Sequence, residues 1–481
     1  MEYSTELDGF HERFMAIENK LGLFDVTVDG MPVWERLREA VKIDLLARTG
    51  LTGTVHSAES SLWSRLRGSY LMMRNLIIGN PFLGGASEMV FFGHPRRKER
   101  DGTWWDIYCD PLHRESDGDV FHMEPPWNFK HFTPAETADC RYTDLIEYLG
   151  RTNATFELVG PDSKGPPQER MAQAEERFEA EFDVPLDLQG QLRTLLQERT
   201  VAKPLYDRLL ARLDPDLVVI IAHSGRETFI EACHDAGVPV AELQHGQISP
   251  YSYQHSFPGD RTKHAYPDYL LTFGDVWETA ASLPLAHDRV FPVGYPYLER
   301  ELERRQPLAR GRQIVFISTP EAGHRLSEIA ADISARPDVD YEVVYKLHPD
   351  EYDRWESAYP WLRDAPLSVV GRDGPSLYDL FAESSVQVGV GSTALYEGLA
   401  FELTTYLLRE PTVEWLGPAI EHGDATVIES ASELAGRLGD ADRRPVQRER
   451  YFKPDAVSNA VGVLEELVET GTVRPDVTGR E

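Results

Sequence analysis

Four short segments carry side chains able to hold a phosphate or move a proton. In Gly389-Val390-Gly391-Ser392-Thr393 an apolar run ends in small and hydroxyl residues, and helical spacing follows. Free N–H groups at a helix start attract anions, and small residues let a phosphate approach. Gly391, Ser392 and Thr393 are therefore a candidate diphosphate site, a reading compatible with Ser392 or Thr393 also capping the helix. Glu397 follows on the same helix, where its carboxylate could accept hydrogen bonds from ribose hydroxyls. In Lys346-Leu347-His348-Pro349, strand alternation puts Lys346 and His348 on one side. There they could neutralise a departing phosphate, with His348 supplying a proton; bonding of His348 to backbone alone is the competing role.

The third segment, Gln244-His245-Gly246, offers His245 as a general base for an acceptor hydroxyl, with Gln244 beside it and Gly246 giving the chain room to turn near a ligand. A purely structural role for His245 competes. The fourth, His223-Ser224, is a candidate contact to acceptor or phosphate. The pairs Asp214/Asp216 and Asp338/Asp340 precede strands, where turn residues are expected, so no metal is assigned. A nucleophile elbow, a Walker lysine loop and Gly-x-Gly-x-x-Gly are all missing from the sequence, which leaves hydrolase, ATPase and dehydrogenase readings unsupported.

These segments lie where alternating strands and helices would end. Apolar runs at 88–93, 217–222, 238–243, 269–273 and 290–293 read as buried parallel strands of one sheet, with a helix over 226–236 and long helices within 163–213 packed on that sheet. After an Arg-rich link at 300–312 the pattern restarts: strands at 314–318, 341–347, 367–370, 386–390 and 403–408, with helices at 326–335, 377–383 and 394–401. The expected architecture is α/β, with two doubly wound Rossmann-like domains facing across a cleft. Its parts are a helical appendage at 1–84, marked by Trp34, Leu37, Val41 and Leu45 on one face, an acceptor domain at 85–299, a nucleotide-donor domain at 300–450, and a C-terminal helix crossing back with a tail at 451–481.

Composition narrows the partners. A chain of 481 residues suits two cores. With 80 acidic and 49 basic residues, its formal charge of -31 would repel a phosphate backbone, so nucleic acid is not an expected partner. Only nine of the basic residues are Lys, an acid-rich and Lys-poor balance that points to a salt-rich, halophilic cytoplasm. Cys109, Cys140 and Cys233 are widely spaced and odd in number, which indicates no disulfide framework. The N-terminus lacks the blocks of a secretory signal and no apolar run is long enough to span a bilayer, so the expected location is cytoplasmic. Residues 61–100 depart from the acidic pattern with seven basic and two acidic residues among Trp63, Tyr70, Met72, Met73, Ile77 and Ile78. That stretch is a candidate peripheral contact with anionic lipid at the inner face of the membrane, the alternative being a helix packed on the domain.

Taken in order, Gln244-His245-Gly246, 266–274 (YPDYLLTFG), Val293-Gly294-Tyr295-Pro296-Tyr297, Lys346-Leu347-His348-Pro349 and Gly391-Ser392-Thr393 with Glu397 resemble the bacterial and archaeal surface-polysaccharide transferases of the GT-B fold. That group includes capsule glycosyltransferases and, more distantly, CDP-glycerol glycerophosphotransferases. The resemblance implies a nucleotide-sugar donor held by the second domain and a glycan or lipid-linked acceptor held by the first. It also implies direct, metal-independent displacement with no cofactor beyond the activated donor. His348, Ser392 and Thr393 would contact donor phosphate, and His245 would sit near the transferred group. Glycerophosphotransferases of this kind carry Trp-His-Gly where Gln244-His245-Gly246 stands, which favours sugar transfer. Glu397 is followed eight residues later by Thr405 rather than by a second glutamate, which favours an inverting outcome. A glycerophosphotransferase, a nucleotide-sugar epimerase and a catalytically silent glycan-assembly scaffold are the alternatives.

Overall fold

The structure is a computed structural model, and it describes residues 6–52, 62–95, 97–127, 130–160, 165–259, 261–308, 310–438 and 446–470. Parts of the expected appendage (1–5 and 53–61), residue 96 of the basic stretch and the tail at 471–481 lie outside the described residues. The central apolar runs become strands because their side chains are covered on both faces. Leu217–Ile221 is buried at all five positions, as is Val386–Gly389 at all four.

The first sheet orders its seven strands Val290–Pro292, Tyr269–Thr272, Val240–Leu243, Leu217–Ile221, Met89–Phe92, Val120–Glu124 and Arg141–Tyr142, all parallel. The second orders six parallel strands Ser368–Val370, Glu342–Lys346, Gln313–Ile317, Val386–Gly389, Thr404–Leu408 and Ala425–Ile428. The α/β class with two doubly wound sheets is therefore the observed fold. Three strands carry no clear signal in the sequence. Val120–Glu124 places His122 and Glu124 in a buried strand, Arg141–Tyr142 spans two residues, and Ala425–Ile428 is a half-buried edge.

Helices Glu6–Leu21 and Trp34–Arg48 pack Phe10, Phe14, Trp34, Leu37, Val41 and Leu45 into one cluster. The expectation that both helices within 163–213 cover the first sheet needs correction. Pro166–Phe182 turns Met171, Phe178 and Phe182 toward this appendage instead, while only the C-terminal half of Leu188–Leu213 covers the sheet through Leu209, Leu210 and Leu213. The aromatic pairs Phe10/Phe182 and Phe14/Phe178 hold the arrangement, at centroid distances of 4.7 and 4.9 Å.

One apolar cluster spans both sheets, joining Leu270, Phe273 and Trp277 to Leu395, Tyr396 and Phe401. Burial of each such side chain contributes roughly 1.5–3 kcal/mol, so the two halves are held together by a core and not by a linker alone. The chain then returns across the first sheet. A Cβ on Gly274 would lie 2.6 Å from the Tyr451 carbonyl carbon, and one on Gly294, whose φ is +103°, would lie 2.6 Å from the Ala456 Cβ. These two glycines let the segment at 450–456 cross the strand ends. Helix Ala456–Thr470 then buries Ala460, Val463, Leu464 and Leu467 against the first sheet.

Candidate active site

Each sheet reverses its direction of growth once, and the crevice at such a switch point, beyond the carboxyl ends of two strands, is the common ligand position in open α/β sheets. In the first sheet it lies between Met89–Phe92 and Leu217–Ile221. The Arg226 guanidinium closes its floor by donating to the carbonyls of Phe92 (3.0 Å) and Gly93 (2.9 Å). In the second sheet it lies between Gln313–Ile317 and Val386–Gly389, so Ser318-Thr319 and Val390-Gly391 form its lips.

The two rims touch. The backbone N–H of Gln247 donates to Thr393 Oγ1 at 3.2 Å, and its side-chain amide donates to the Gly391 carbonyl at 3.4 Å. Gly246 packs here too, since a Cβ at that position would sit 3.6 Å from Thr393 Oγ1. Gly391 tolerates no side chain, because a Cβ would fall 2.4 Å from the Thr412 carbonyl oxygen. Ser392 caps helix Thr393–Ala400 by accepting the Ala394 N–H at 3.3 Å, which leaves the Thr393 hydroxyl as the rim's side-chain group toward the first sheet.

His245 keeps a ring nitrogen unengaged. Burial pushes its imidazole below the usual histidine range; Glu242 opposes this, and His94 and Arg226 reinforce it. Its Nδ1 is buried and makes no hydrogen bond to the protein, while its carbonyl accepts from the Tyr108 hydroxyl at 3.0 Å. A neutral ring with an unused nitrogen is what a general base requires. Two more buried polar atoms at these rims, Gln247 Oε1 and Thr319 Oγ1, likewise make no hydrogen bond, and such groups concentrate where ligands bind.

At the rim of the second sheet, the Lys346 amine donates to the Gly371 carbonyl at 3.0 Å. Burial and the charge of Lys98 lower its pKa. His348 caps the turn Pro349–Glu351: its Nδ1 accepts the Asp350 N–H at 3.3 Å, and its own N–H donates to buried Glu351 at 2.8 Å. Glu351 is held by Ser318 and Tyr359 at 3.0 and 2.5 Å, which fixes the His348 turn beside the lip residue Ser318. Glu397 is pushed up to about 7 by burial, against a hydrogen bond from Tyr378 and the charge of Lys98. Tyr297 and Tyr378, 5.8 Å apart between ring centres, bring the two domains together beside it.

Two expected cleft residues are placed otherwise. His223 is completely buried, with Nδ1 2.6 Å from Glu242 and Nε2 2.9 Å from the Gln254 carbonyl. It packs as a scaffold under the loop that carries His245, because both ring nitrogens are engaged inside the protein. Gln244 is 2% exposed and ties its own loop, donating to the Gly246 carbonyl (2.7 Å) and accepting the Phe273 N–H (2.7 Å). Ser224 is exposed on the turn after His223.

Lys98, His94, Tyr108, Gln247, Thr319 and Tyr378 adjoin these residues without standing out in the sequence as a group. Gln247 directly follows the Gln244-His245-Gly246 segment and His94 directly follows a strand-ending Gly93, so both positions had a signal in strand-end logic; Lys98 was masked by the basic stretch around it. Among the described residues, two clusters bring together groups of metal-ligand type, Asp106/Cys109/His122 and His223/Glu242/His255. In the first, the Asp106 carboxylate accepts N–H groups of His94, Tyr108 and Cys109, and burial raises the Cys109 thiol well above its usual pKa. In the second, His255 Nδ1 bonds the Tyr266 hydroxyl at 2.8 Å, and the His223 nitrogens are engaged as above. Neither is assigned a metal.

No family model and no curated protein matches the sequence. Among solved structures, UDP-GlcNAc 2-epimerase from Neisseria meningitidis bound to UDP-GlcNAc is similar with a TM-score of 0.47 at 11% identity, covering 79% of this chain and 99% of that one. The calicheamicin glycosyltransferase CalG4 is similar with a TM-score of 0.43 at 13% identity, covering 80% and 99%. MurG from Acinetobacter baumannii gives 0.37 at 12% identity, covering 56% and 78%. The assignment of two doubly wound parallel sheets rests on the strand order itself.

Proposed function

We propose that the protein is a glycosyltransferase that moves a sugar from a nucleotide-sugar donor to a cell-surface glycan or lipid-linked acceptor. The observation that carries this reading is the Gln247–Thr393 contact, which brings His245 and the Gly391-Ser392-Thr393 helix start to one gap between the sheets. The donor diphosphate lies at that helix start, where N–H groups, the Thr393 hydroxyl and the Lys346 and Lys98 charges face it. The nucleoside extends toward Glu397. His245 accepts the acceptor hydroxyl's proton as the new C–O bond forms and the bond to phosphate breaks. Direct displacement of this kind inverts the transferred carbon. Lys346, with His348 at the adjacent turn, offsets the charge on the leaving nucleotide. The acid-rich surface fits work in concentrated salt, and the acceptor class fits an intracellular site at a membrane.

The testing experiment exposes the purified chain, in high salt, to a panel of nucleotide sugars and CDP-glycerol and follows thermal stabilisation and donor turnover. Stabilisation by a nucleotide sugar, weakened in Lys346→Ala and Thr393→Val, supports the reading. Response to CDP-glycerol alone would transfer the assignment to glycerophosphate transfer, and no response to any donor would leave a scaffold. A second reading, a nucleotide-sugar epimerase, is favoured by one observation: a buried carboxyl titrating at about 7 can take and return a proton. Turnover without acceptor, yielding an isomerised sugar, selects it.

A further inference from the structure

Helix Leu62–Asn75 leaves an apolar stripe without a partner. Trp63, Leu66, Tyr70 and Met73 recur at intervals of three, four and three residues, which puts them on one face, and they are 80%, 56%, 67% and 60% exposed. Ile77 and Ile78, just past the helix, are 75% and 63% exposed. The opposite side is anchored: Leu71 is buried, and buried Asn75 donates to Asp144 at 2.8 Å. Helix Asp144–Phe156, which packs against it, adds exposed Leu149 and Phe156, followed by exposed Leu158 and Val159. Exposed large apolar side chains concentrated in this way mark an interaction face.

Charge selects the occupant. The helix carries three arginines and no acidic residue within a chain of net charge -31. Arg67 and Arg74 flank the stripe at positions one and four residues beyond Leu66 and Tyr70. Apolar side chains ending in tryptophan and tyrosine, bordered by arginines, match the boundary between acyl chains and anionic headgroups. In a two-fold pairing of this face with itself, these arginines would meet the same arginines of a second copy. We infer that helix Leu62–Asn75 lies in the interface of an anionic bilayer, with Trp63, Leu66, Tyr70, Met73 and Ile77 inserted and Arg67 and Arg74 on the headgroups. Docking there holds the first sheet's domain, which carries His245, beside the membrane. It stands independently of the reaction that the cleft performs.

Flotation of the full chain with vesicles of phosphatidylcholine mixed with phosphatidylglycerol tests this. The wild type is expected to float with mixed vesicles and to bind pure phosphatidylcholine vesicles less. Trp63→Ser combined with Ile77→Ser is expected to weaken binding at least about tenfold. Arg67→Gln and Arg74→Gln should each weaken it about fivefold, and these two surface changes keep the test valid should the apolar pair misfold. Thermal stabilisation by donor nucleotide, read on the same variants, should stay at the wild-type level, which separates failure of docking from failure of the catalytic reading. Absence of flotation overturns the inference. So does a wild-type dimer that becomes monomeric in the Trp63/Ile77 variant with no change in flotation, which would give the face to a second copy.

Discussion

The backbone N–H of Gln247, in the loop after strand Val240–Leu243, donates to the hydroxyl of Thr393 at the start of helix Thr393–Ala400, 3.2 Å away. The bond crosses from one sheet to the other and engages the Thr393 hydroxyl. A donor at that helix start therefore has to share or displace the contact, which couples donor binding to the approach of the His245 loop.

Thr393→Val keeps the shape of the side chain and removes the hydroxyl. A neutral hydrogen bond contributes about 1 kcal/mol, so donor kcat/KM is expected to fall roughly five- to tenfold with little change in Tm, and Thr393→Ser should restore most of it. A larger loss in Thr393→Ser than in Thr393→Val would mean that the methyl group matters and not the hydroxyl.

His245→Asn removes the proposed base while keeping a side chain of similar size. General-base removal typically costs about 10²–10⁴-fold in rate. The expected outcome is a drop in kcat of that order with donor affinity unchanged in a titration. Loss of donor binding with kcat preserved would assign His245 to the donor pocket instead.

Glu397 has its carboxyl raised to about 7, first because it is buried. A carboxyl raised in the folded state binds its proton more tightly folded than unfolded. Its stabilising contribution is therefore present at low pH and is lost as pH rises from the unfolded carboxylate value of 4.5 through about 7. Glu397→Gln, which stays neutral, should match the wild-type Tm near about pH 5 and exceed it near about pH 8. Donor affinity of the wild type should strengthen as pH rises through about 7, where a carboxylate becomes available to ribose hydroxyls, and the Gln variant should show a flat profile. A flat wild-type profile would remove Glu397 from the donor site.

Glu351 is completely buried and accepts from Ser318, Tyr359 and the His348 N–H. Glu351→Ala strands three donors, each worth about 1–3 kcal/mol when left unpaired in the interior. A fall in Tm of several degrees is expected, together with loss of donor stabilisation. Calorimetry separates the two, because Asp350→Ala, on the exposed side of the same turn, should leave Tm nearly unchanged.

Gly391→Ala is expected to be more damaging than its size implies. The new methyl would meet the Thr412 carbonyl at 2.4 Å, so the turn that accepts from Gln247 must shift. Donor binding should fall by at least about tenfold, as for loss of one close contact at a phosphate turn. Wild-type donor affinity would show that the turn relaxes without consequence.

Local chemistry alone determined a good deal of this protein. An uninterrupted apolar run such as 217–222 is suited to burial on both faces, and the glycine and hydroxyl residues after Val386–Gly389 mark a strand-to-helix turn in any context. That was enough for the two-sheet α/β class and for His245, Lys346, Gly391, Thr393 and Glu397 as positions to inspect. It was not enough for Val120–Glu124, which buries His122 and Glu124, the latter held by Arg97 from another segment at 2.8 Å, or for Arg141–Tyr142, which spans two residues. Nor could spacing separate His223 from His245, two strand-end histidines of which one spends both nitrogens on its own domain and the other keeps one unused. Which strand ends meet, which glycine admits the returning chain and which hydroxyl faces the opposite sheet depend on contacts between residues more than a hundred positions apart, as Gln247 and Thr393 are. Such contacts exist only once both sheets have packed on their shared core.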